Sequence, residues 1–456
     1  MSAVPLSVQN AFFGQYTRKN PEIGECMNQK INLDDAVFSI TEKYPQVISY
    51  LVKKGFAPLA NPVMRKLMGS KISLKKALVS KGLDAGICEA ELNSLIETET
   101  LTDRADSSLK KLNTDPFAHL KNGSRCIKIQ GVLPCPVRIP LLEAFEELYA
   151  SYTETHAGEI KKAGYSFSYD LRSANLGLDW LAAAFEDTDR VPDLMLSTGF
   201  DLFFDKKRMA PYTQKDMFYC PVPRMNADFC SECVDLRDPD NVYAVIGVVP
   251  AVMVVNTAAL NGRPMPKRWA DLFTDEFENA LALPFKDLDL FNALLLNVYK
   301  LFGDEGIQKL AKACGSFLHP AQMVKEKYTY KEGDPAVHIA PYFFSTMIRG
   351  NSSLSVVWPE DGAVLAPIFM IAKKETYEQT KVFTDFFLSK EAGTVLSQNG
   401  FFPSTNPYVD NKLDKDKKFL WIGWDFLKQN DIGELLKKLN ADFEKALAAK
   451  TEGRTS

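Results

Sequence analysis

The residues best placed to hold a ligand follow short apolar runs. Asp193-Leu-Met-Leu leads into Ser197-Thr198-Gly199-Phe200-Asp201, which sets hydroxyls and a carboxylate behind a buried strand. Pro134-Cys135-Pro136 follows Cys126 to Leu133, Pro284-Phe285 follows Ala280 to Leu283, and Tyr342 follows Ala336 to Pro341. In an open α/β sheet ligands gather beyond the carboxyl ends of strands. A helix that starts there offers unpaired backbone N–H groups to an anion. Ser197, Thr198 and Gly199 are the first candidates, with Phe200 and Asp201 beside them and Pro134 and Cys135 at a neighbouring strand end. Tyr342 and Glu360-Asp361 form a second set, because phenolate and carboxylate are hard oxygen ligands that suit Fe(III). The alternative for that set is a core tyrosine and an acidic turn. Asn256 closes the longest apolar run and reads as a turn residue before it reads as a ligand.

Sulfur is the other source of chemistry. Cys230-Ser-Glu-Cys233 is a lone C-x-x-C without a second pair or a nearby histidine. It reads as two loop thiols, with a redox pair or half of a metal site shared with Cys220 as the alternative. A cytoplasmic redox or metal-handling protein built on Cys230 and Cys233 is the second functional reading. His338 sits inside an apolar run and reads as a core residue. Phosphate-loop, zinc-protease and nucleophile-elbow motifs are absent, so neither a catalytic set nor a cofactor is expected.

The composition is that of an ordinary globular chain: 456 residues, 46% apolar, 25% charged, with a net charge of −4. Scattered Lys and Arg with a slightly acidic balance give no electrostatic case for nucleic acid or an anionic membrane. No apolar stretch reaches the about 18 residues a membrane span needs. Residues 1–24 show no basic segment followed by an apolar core, so the expected location is the cytoplasm, with a periplasmic or extracellular site as the alternative if the start is mis-set or trimmed. The eight cysteines would then be thiols or ligands rather than disulfides.

The elements that must position these residues alternate strand and helix. After a weakly patterned segment (1–30), Asn32 is placed to cap a helix beginning at Leu33-Asp34-Asp35. Apolar spacing predicts further helices at Pro62 to Met68, after Ser73, and at Glu89 to Thr98. These make a small all-helical domain over 31–100, followed by a polar linker at 101–124. From 125 on, strands at 126–133, 165–171 and 193–197 alternate with helices at 140–149 and 176–185, the repeating α/β unit. Val242 to Val255 is a β-branched run and predicts a buried strand, with Pro250 expected to divide it into two pieces. Later helices are expected at Leu288 to Phe302, broken by Gly303, then Ile307 to Cys314, Tyr377 to Leu388, and Lys390 to Gln398 capped by Ser389. A C-terminal helix is anchored by Leu420, Trp421, Trp424, Phe426 and Leu427.

Four stretches in order resemble one family. They are DLMLSTGFDLFF, Val254-Val-Asn-Thr with Pro266-Lys-Arg-Trp-Ala-Asp-Leu, SVVWPEDGAVLAPIFMIAK, and VFTDFFLSKEAGTVLSQNGFFPSTNP. Together they resemble the solute-binding proteins of ABC importers, with ferric-iron binders as the nearest kind. The resemblance implies a two-lobed type II periplasmic-binding-protein fold over 125–456. It places lobe 1 at about 125–250 with the C-terminal helices, a hinge strand at Val252 to Thr257, and lobe 2 at about 258–375. It implies non-catalytic capture of a small polar or ionic solute, a metal ion or an oxyanion, and an ABC permease as partner. The family's ferric binders use adjacent tyrosines, whereas this sequence has Tyr342-Phe343-Phe344, a departure that leaves the metal ligands unknown among Tyr342, Glu360, Cys230 and Cys233. Residues 31–84 resemble a small bacterial domain of unknown function. Some of its relatives carry a cysteine pair after Gly-Phe and are called redox-disulfide proteins. Here Ala57-Pro-Leu-Ala-Asn61 follows Gly55-Phe56, so the redox role does not carry over and a protein-docking role is expected.

Overall fold

The computed structural model describes residues 31–44, 72–81 and scattered positions between 47 and 92. It also describes residues 125–452 apart from 175–176, 188–189, 232–233, 285–287, 318–333, 346–347 and 349–352. The chain divides between Thr114 and Asp115 into two compact units. In the first, helices α1 (Val37–Lys43) and α2 (Leu74–Ser80) bury Val37, Ile40, Leu74 and Leu78 in one small core. Asn32 does accept a backbone hydrogen bond, from Asp34 N–H at 3.0 Å. That bond makes a turn, and α1 starts later than expected, after Ala36 bridges Ser73. The helices expected at 62–68 and 89–98 lie outside the described residues as elements.

The second unit carries one sheet of ten strands among the described residues. Strand β1 (Arg125–Leu133) leads through a short turn into α3 (Arg138–Thr155) and α4 (Ala157–Ala163). Strand β2 (Tyr165–Ser173) is followed by α5 (Asp179–Ala182), and β3 (Leu194–Thr198) by α6 (Lys206–Thr213). Then come β4 (Ala244–Asn256), β5 (Leu281–Leu283), α7 (Leu288–Ala313), β6 (Cys314–Phe317), β7 (Val337–Pro341) and α8 (Tyr342–Ser345). Strands β8 (Leu354–Val357) and β9 (Ala363–Ala372), helices α9 (Tyr377–Phe387) and α10 (Lys390–Thr394), strand β10 (Phe419–Leu420), and helices α11 (Trp424–Gln429) and α12 (Ile432–Glu452) complete it. Gly303, at φ 63°, breaks α7 where the sequence places a break.

The strand order is β2-β1-β3-β9-β4-β7-β5-β6. Strands β1, β2 and β3 run parallel, and β9 runs antiparallel to β3 and β4. Beyond β4, β7 is antiparallel and β5 and β6 parallel. Two parallel α/β halves joined through β4 and β9 make the two-lobed type II arrangement that the resemblance implies.

β4 runs unbroken through Pro250, against the expectation of two pieces, and the edge geometry explains why. Val248 N–H donates to the Pro403 carbonyl and Asn256 N–H to the Ala336 carbonyl. Side and hydrogen-bonding direction alternate along a strand, so even-numbered β4 residues address that one edge. Pro250 is among them and falls between the segment 403–405 and the end of β7, which pairs only from Ala251. The N–H that proline lacks is missing where no partner waits. Residues 244–251 pair with β9, and 251–256 pair with β7 and β8. The crossing therefore lies at Val248 to Ala251. The hinge expected at Val252 to Thr257 is corrected, because that stretch is paired on both edges within the second half.

One large apolar cluster runs through both halves of the sheet. Met195, Val245, Val248, Ala251, Met253, Phe369, Val337, Ile339 and Leu294 all belong to it. Helix α7 packs in this cluster and α12 lies along α7, with Phe291 against Phe443 at 5.2 Å and Lys450 on the carbonyl of Lys312 at 2.8 Å. The first turn of α12 also meets the first half, where Ile432 N–H donates to the Phe204 carbonyl. Two smaller groups lie apart from it. Phe145 of α3 stacks on Phe387 and meets Tyr169 and Phe383, whereas Val254, Ala340, Ile348 and Leu354 form a separate cluster.

Two stretches that the sequence shows far apart fasten the second half. Trp269 is 1% exposed, and its indole Nε1 donates to the Gly362 carbonyl at 2.8 Å. Its backbone N–H donates to the Asp361 carboxylate at 3.1 Å. Asp271 accepts from the N–H groups of Lys267 and Arg268. Replacing Trp269 with phenylalanine keeps the ring and leaves the buried Gly362 carbonyl unpaired, a loss of about 1–3 kcal/mol. The expected result is a lower urea midpoint with an unchanged slope. An unchanged midpoint would show that this bond does not hold the two stretches together.

Candidate functional site

Strand β3 delivers Thr198 and Gly199 to the first turn of α7. Thr198 Oγ1 donates to the Asp289 carboxylate. Gly199 has φ 68°, and a Cβ there would lie 2.9 Å from Asp289 Oδ1. Glycine is required on both counts: the left-handed conformation disfavours a side chain and the close approach leaves no room for one. One turn further along, Asn292 Nδ2 donates to both oxygens of Asp201, at 2.9 and 2.8 Å. Burial pushes the Asp201 carboxyl above its ordinary pKa, opposed by the Asn292 hydrogen bond and by the charge of Arg208. Ser197 is fully buried, and Phe200 packs in the core against Phe369 and Trp421. The five-residue candidate set is thus split: Thr198, Gly199 and Asp201 meet α7, while Ser197 and Phe200 face the interior.

Strand β1 ends at buried Pro134, and Cys135 opens the short turn Cys135–Val137. Val137 lies against Gly400, whose absent Cβ would come 2.4 Å from Val137 Cγ1. Next to it, Phe401 meets Tyr342 with ring centroids 6.3 Å apart, and Phe402 meets Phe343 at 6.4 Å. Tyr342 also meets Trp358 edge-on at 5.1 Å. The end of β1, the 400–402 turn and the end of β7 therefore converge at the crossing. Tyr342, Trp358 and Phe401 keep partial exposure there.

The remaining candidates are engaged elsewhere. Asn256 is fully buried, and its Oδ1 accepts from the N–H groups of Ala258 and Ala259 in a turn at the end of β4. Glu360 pairs with Arg268 at 3.2 Å, and the Asp361 carboxylate takes the Trp269 N–H. Burial pushes Asp361 upward, against that hydrogen bond. Among the described residues no three His, Cys, Asp or Glu side chains are grouped to hold a metal ion. Cys230 is exposed and free, Cys220 is buried with its thiol pushed up to about 12 by burial, and Cys233 lies outside the described residues. His338 is buried in β7, and burial brings its pKa down to about 4, so it is a neutral core residue at ordinary pH. No helix among the described residues is long and apolar enough to cross a membrane.

Asp289, Asn292, Trp358 and Phe401 are residues that sequence reasoning missed and that the structure sets against the candidates. Asp289 had a usable signal, a carboxylate in the first turn of a helix directly after the strand end at Pro284. Phe401 had none, because its placement depends on a chain reversal that residue types do not announce.

Comparison with known proteins gives two family matches. Bacterial extracellular solute-binding protein matches residues 189–430, and a domain of unknown function (DUF1858) matches residues 31–87. No curated protein matches the chain. Solved structures similar to it include the ferric binding protein from Campylobacter jejuni, 13% identical, covering 70% of this chain and 99% of that one with a TM-score of 0.49. The periplasmic binding protein AfuA from Actinobacillus pleuropneumoniae, with fructose-6-phosphate bound, is 15% identical over 72% of this chain and 99% of that one, with a TM-score of 0.48. Iron-bound HitA from Pseudomonas aeruginosa is 12% identical over 71% and 99%, with a TM-score of 0.45. The match to an extracellular family overturns the cytoplasmic location expected from residues 1–24.

Two measurements check this geometry. Cys230→Ser is expected to remove one thiol that reacts quickly with Ellman's reagent, and Cys220→Ser to remove none until the protein is unfolded. For Asp201 the raised pKa means that the folded state favours the protonated form. The stability this contributes is complete below the ordinary carboxylate range and is lost as pH rises through the raised value. Asp201→Asn is expected to raise the urea midpoint at neutral pH, with the gain closing below about pH 4. A gain that persists in acid would point to a cause other than the carboxylate charge.

Proposed function

We propose that this chain, which belongs to the family of bacterial extracellular solute-binding proteins, captures a small polar or ionic solute in the cleft between its two lobes and passes it to an ABC permease. Proteins of this family bind solutes rather than transform them, and this chain is a binder and not an enzyme. One observation carries the finer reading. The Thr198-Gly199 turn at the carboxyl end of β3 is set against the first turn of α7, which belongs to the second half. Strand-end turns of an α/β sheet are where ligands collect, and here turns of both halves meet. In this reading lobe 1 covers about 125–250 with the C-terminal helices, and lobe 2 about 258–375. Thr198, Gly199 and Tyr342 are the residues assigned to contact the solute, with Pro134 and Cys135 behind them. Glu360, Asp361 and Asn256 have the role of holding turns.

The Thr198–Asp289 pair works on both sides of the binding equilibrium. It joins the two halves in this structure, and a hydroxyl and a carboxylate are polar groups that a solute could take over when it enters. Hinge closure around a ligand needs contacts that exchange in this way.

The test is isothermal titration of the full chain against metals, oxyanions, polyamines and organic acids. Gly199→Ala, which adds strain and a contact on Asp289, is expected to weaken any solute found by about tenfold or more. Thr198→Val is expected to act in the same direction by removing the hydroxyl. A flat response to the whole panel from a folded protein would sink the reading.

A further inference from the structure

We infer that the solute of this cleft carries a flat unsaturated ring, and that Phe401 and Tyr342 form the wall that receives it. The inference rests on the cleft reading above and adds the chemical class of the ligand.

It begins with a backbone anomaly. The turn after Asn399 contains a glycine followed by a phenylalanine, and each takes the conformation expected of the other. Gly400 has φ −103°, which any residue adopts. Phe401 has φ 52°, in the left-handed region. Helices commonly end on a left-handed residue, and glycine usually supplies it. A bulky side chain there is an outlier, and such outliers persist only where the surroundings hold them, often at ligand sites. Gly400 explains the register. Its Cβ would come within 2.4 Å of Val137 and 2.8 Å of Phe402, so glycine is needed for space and the left-handed position falls to the next residue. Space at Gly400 does not explain why that next residue is aromatic.

The ring's surroundings supply the reason. Pro403 is bonded at Val248 of β4, and β7 begins to pair at Ala251. Between them Val249 and Pro250 leave a short stretch of strand edge, at the point where β4 passes from one half to the other. Phe401 arrives from one side and Tyr342 from the other. Their rings meet nearly perpendicular, at 82°, and Trp358 extends the row beyond Tyr342 at 78°. All three rings are only partly buried. An edge-to-face row exposes ring faces and edges side by side, the surface on which another flat ring packs most favourably. Small-solute sites take this form, aromatic walls with a few polar groups that fix orientation. In the cleft reading Thr198 and Asp289 have that polar role. The ring row also gives Tyr342 a role that does not need a metal: no carboxylate approaches it among the hydrogen bonds and ion pairs described, and Glu360 is paired with Arg268.

The experiment is ligand-observed fluorine NMR on the full chain with two probes of equal charge, 4-fluorobenzoate and its saturated counterpart 4-fluorocyclohexanecarboxylate. The aromatic probe is expected to broaden several-fold more than the saturated one. Phe401→Leu and Tyr342→Leu should abolish that preference, and Phe401→Tyr should keep it. Thermal melts of each variant within a few degrees of the parent establish that the fold is intact. Equal broadening of both probes, no broadening of either, or a preference that survives Phe401→Leu would overturn the inference. Thr198→Val separates it from the cleft reading. If the saturated probe binds, loses binding in Thr198→Val and is indifferent to Phe401→Leu, the cleft stands and the ring wall falls. If the ring preference is present and Thr198→Val leaves it untouched, the rings lie outside the solute site and the ring wall falls with no loss to the cleft reading.

Discussion

Strand β4 has more demands on it than any other element. Seven of its first eight residues pair with β9, its last six with β7 and β8, and Ala251 serves both. A strand has two hydrogen-bonding edges, and a buried one leaves few groups unpaired. β4 satisfies this over thirteen residues, except beside Pro250, which has no N–H to satisfy. The proline that looks like a fault in the sequence is what lets one strand belong to two halves. It leaves an edge free of ladder bonds where the halves must separate, without burying an orphaned donor.

The packing around β4 follows from this. Its apolar residues continue from the first half to the second within one cluster, in which α7 packs and on which α12 lies. The α3–α9 aromatic cluster and the small Val254–Leu354 cluster stand apart from each other. The aromatic rings and the β1 turn gather at the crossing. The Trp269 and Gly362 segments fasten the second half. Their bonds join the stretch just after β4 to the turn just before β9, the two strands through which the chain crosses.

The sequence made much of this legible. The apolar alternation and strand-end residues located β1, β3, β4 and β7, and Ser389 caps α10 by accepting from Ala392 N–H at 3.1 Å, as its position suggested. The Trp-x-Asp-Leu and Asp-Gly stretches identified a family, although nothing in either one shows that it bonds the other. What stayed hidden were pairings between segments distant in the chain. Glu360 and Asp361 looked like oxygen ligands because their type is right, but Arg268 and the Trp269 N–H, about ninety residues earlier, take them. Phe200 looked like a neighbour of the strand-end hydroxyls, yet the bend at Gly199 after β3 turns it into the core with Phe369 and Trp421. Residue type proposes a chemistry, and a tertiary partner decides whether the group is free to perform it.

The same reasoning bears on the buried carboxylate Asp201. A charge largely withdrawn from water, held by a neutral amide and the nearby charge of Arg208, is costly for the folded state. A second asparagine, Asn440 of α12, donates to Asn292 Oδ1 at 3.2 Å and so orients its amide toward the carboxylate. One relay therefore runs from the β3 turn through α7 to the last helix. A leucine at Asn292 would fill the space and leave the carboxylate unpaired; an aspartate would set two like charges together. Asn is the neutral side chain of this size that can donate to Asp201 while accepting from Asn440. The relay holds the β3 turn against α7 directly beside Thr198 and Gly199, so the position of the candidate solute contacts depends on a helix at the far end of the chain.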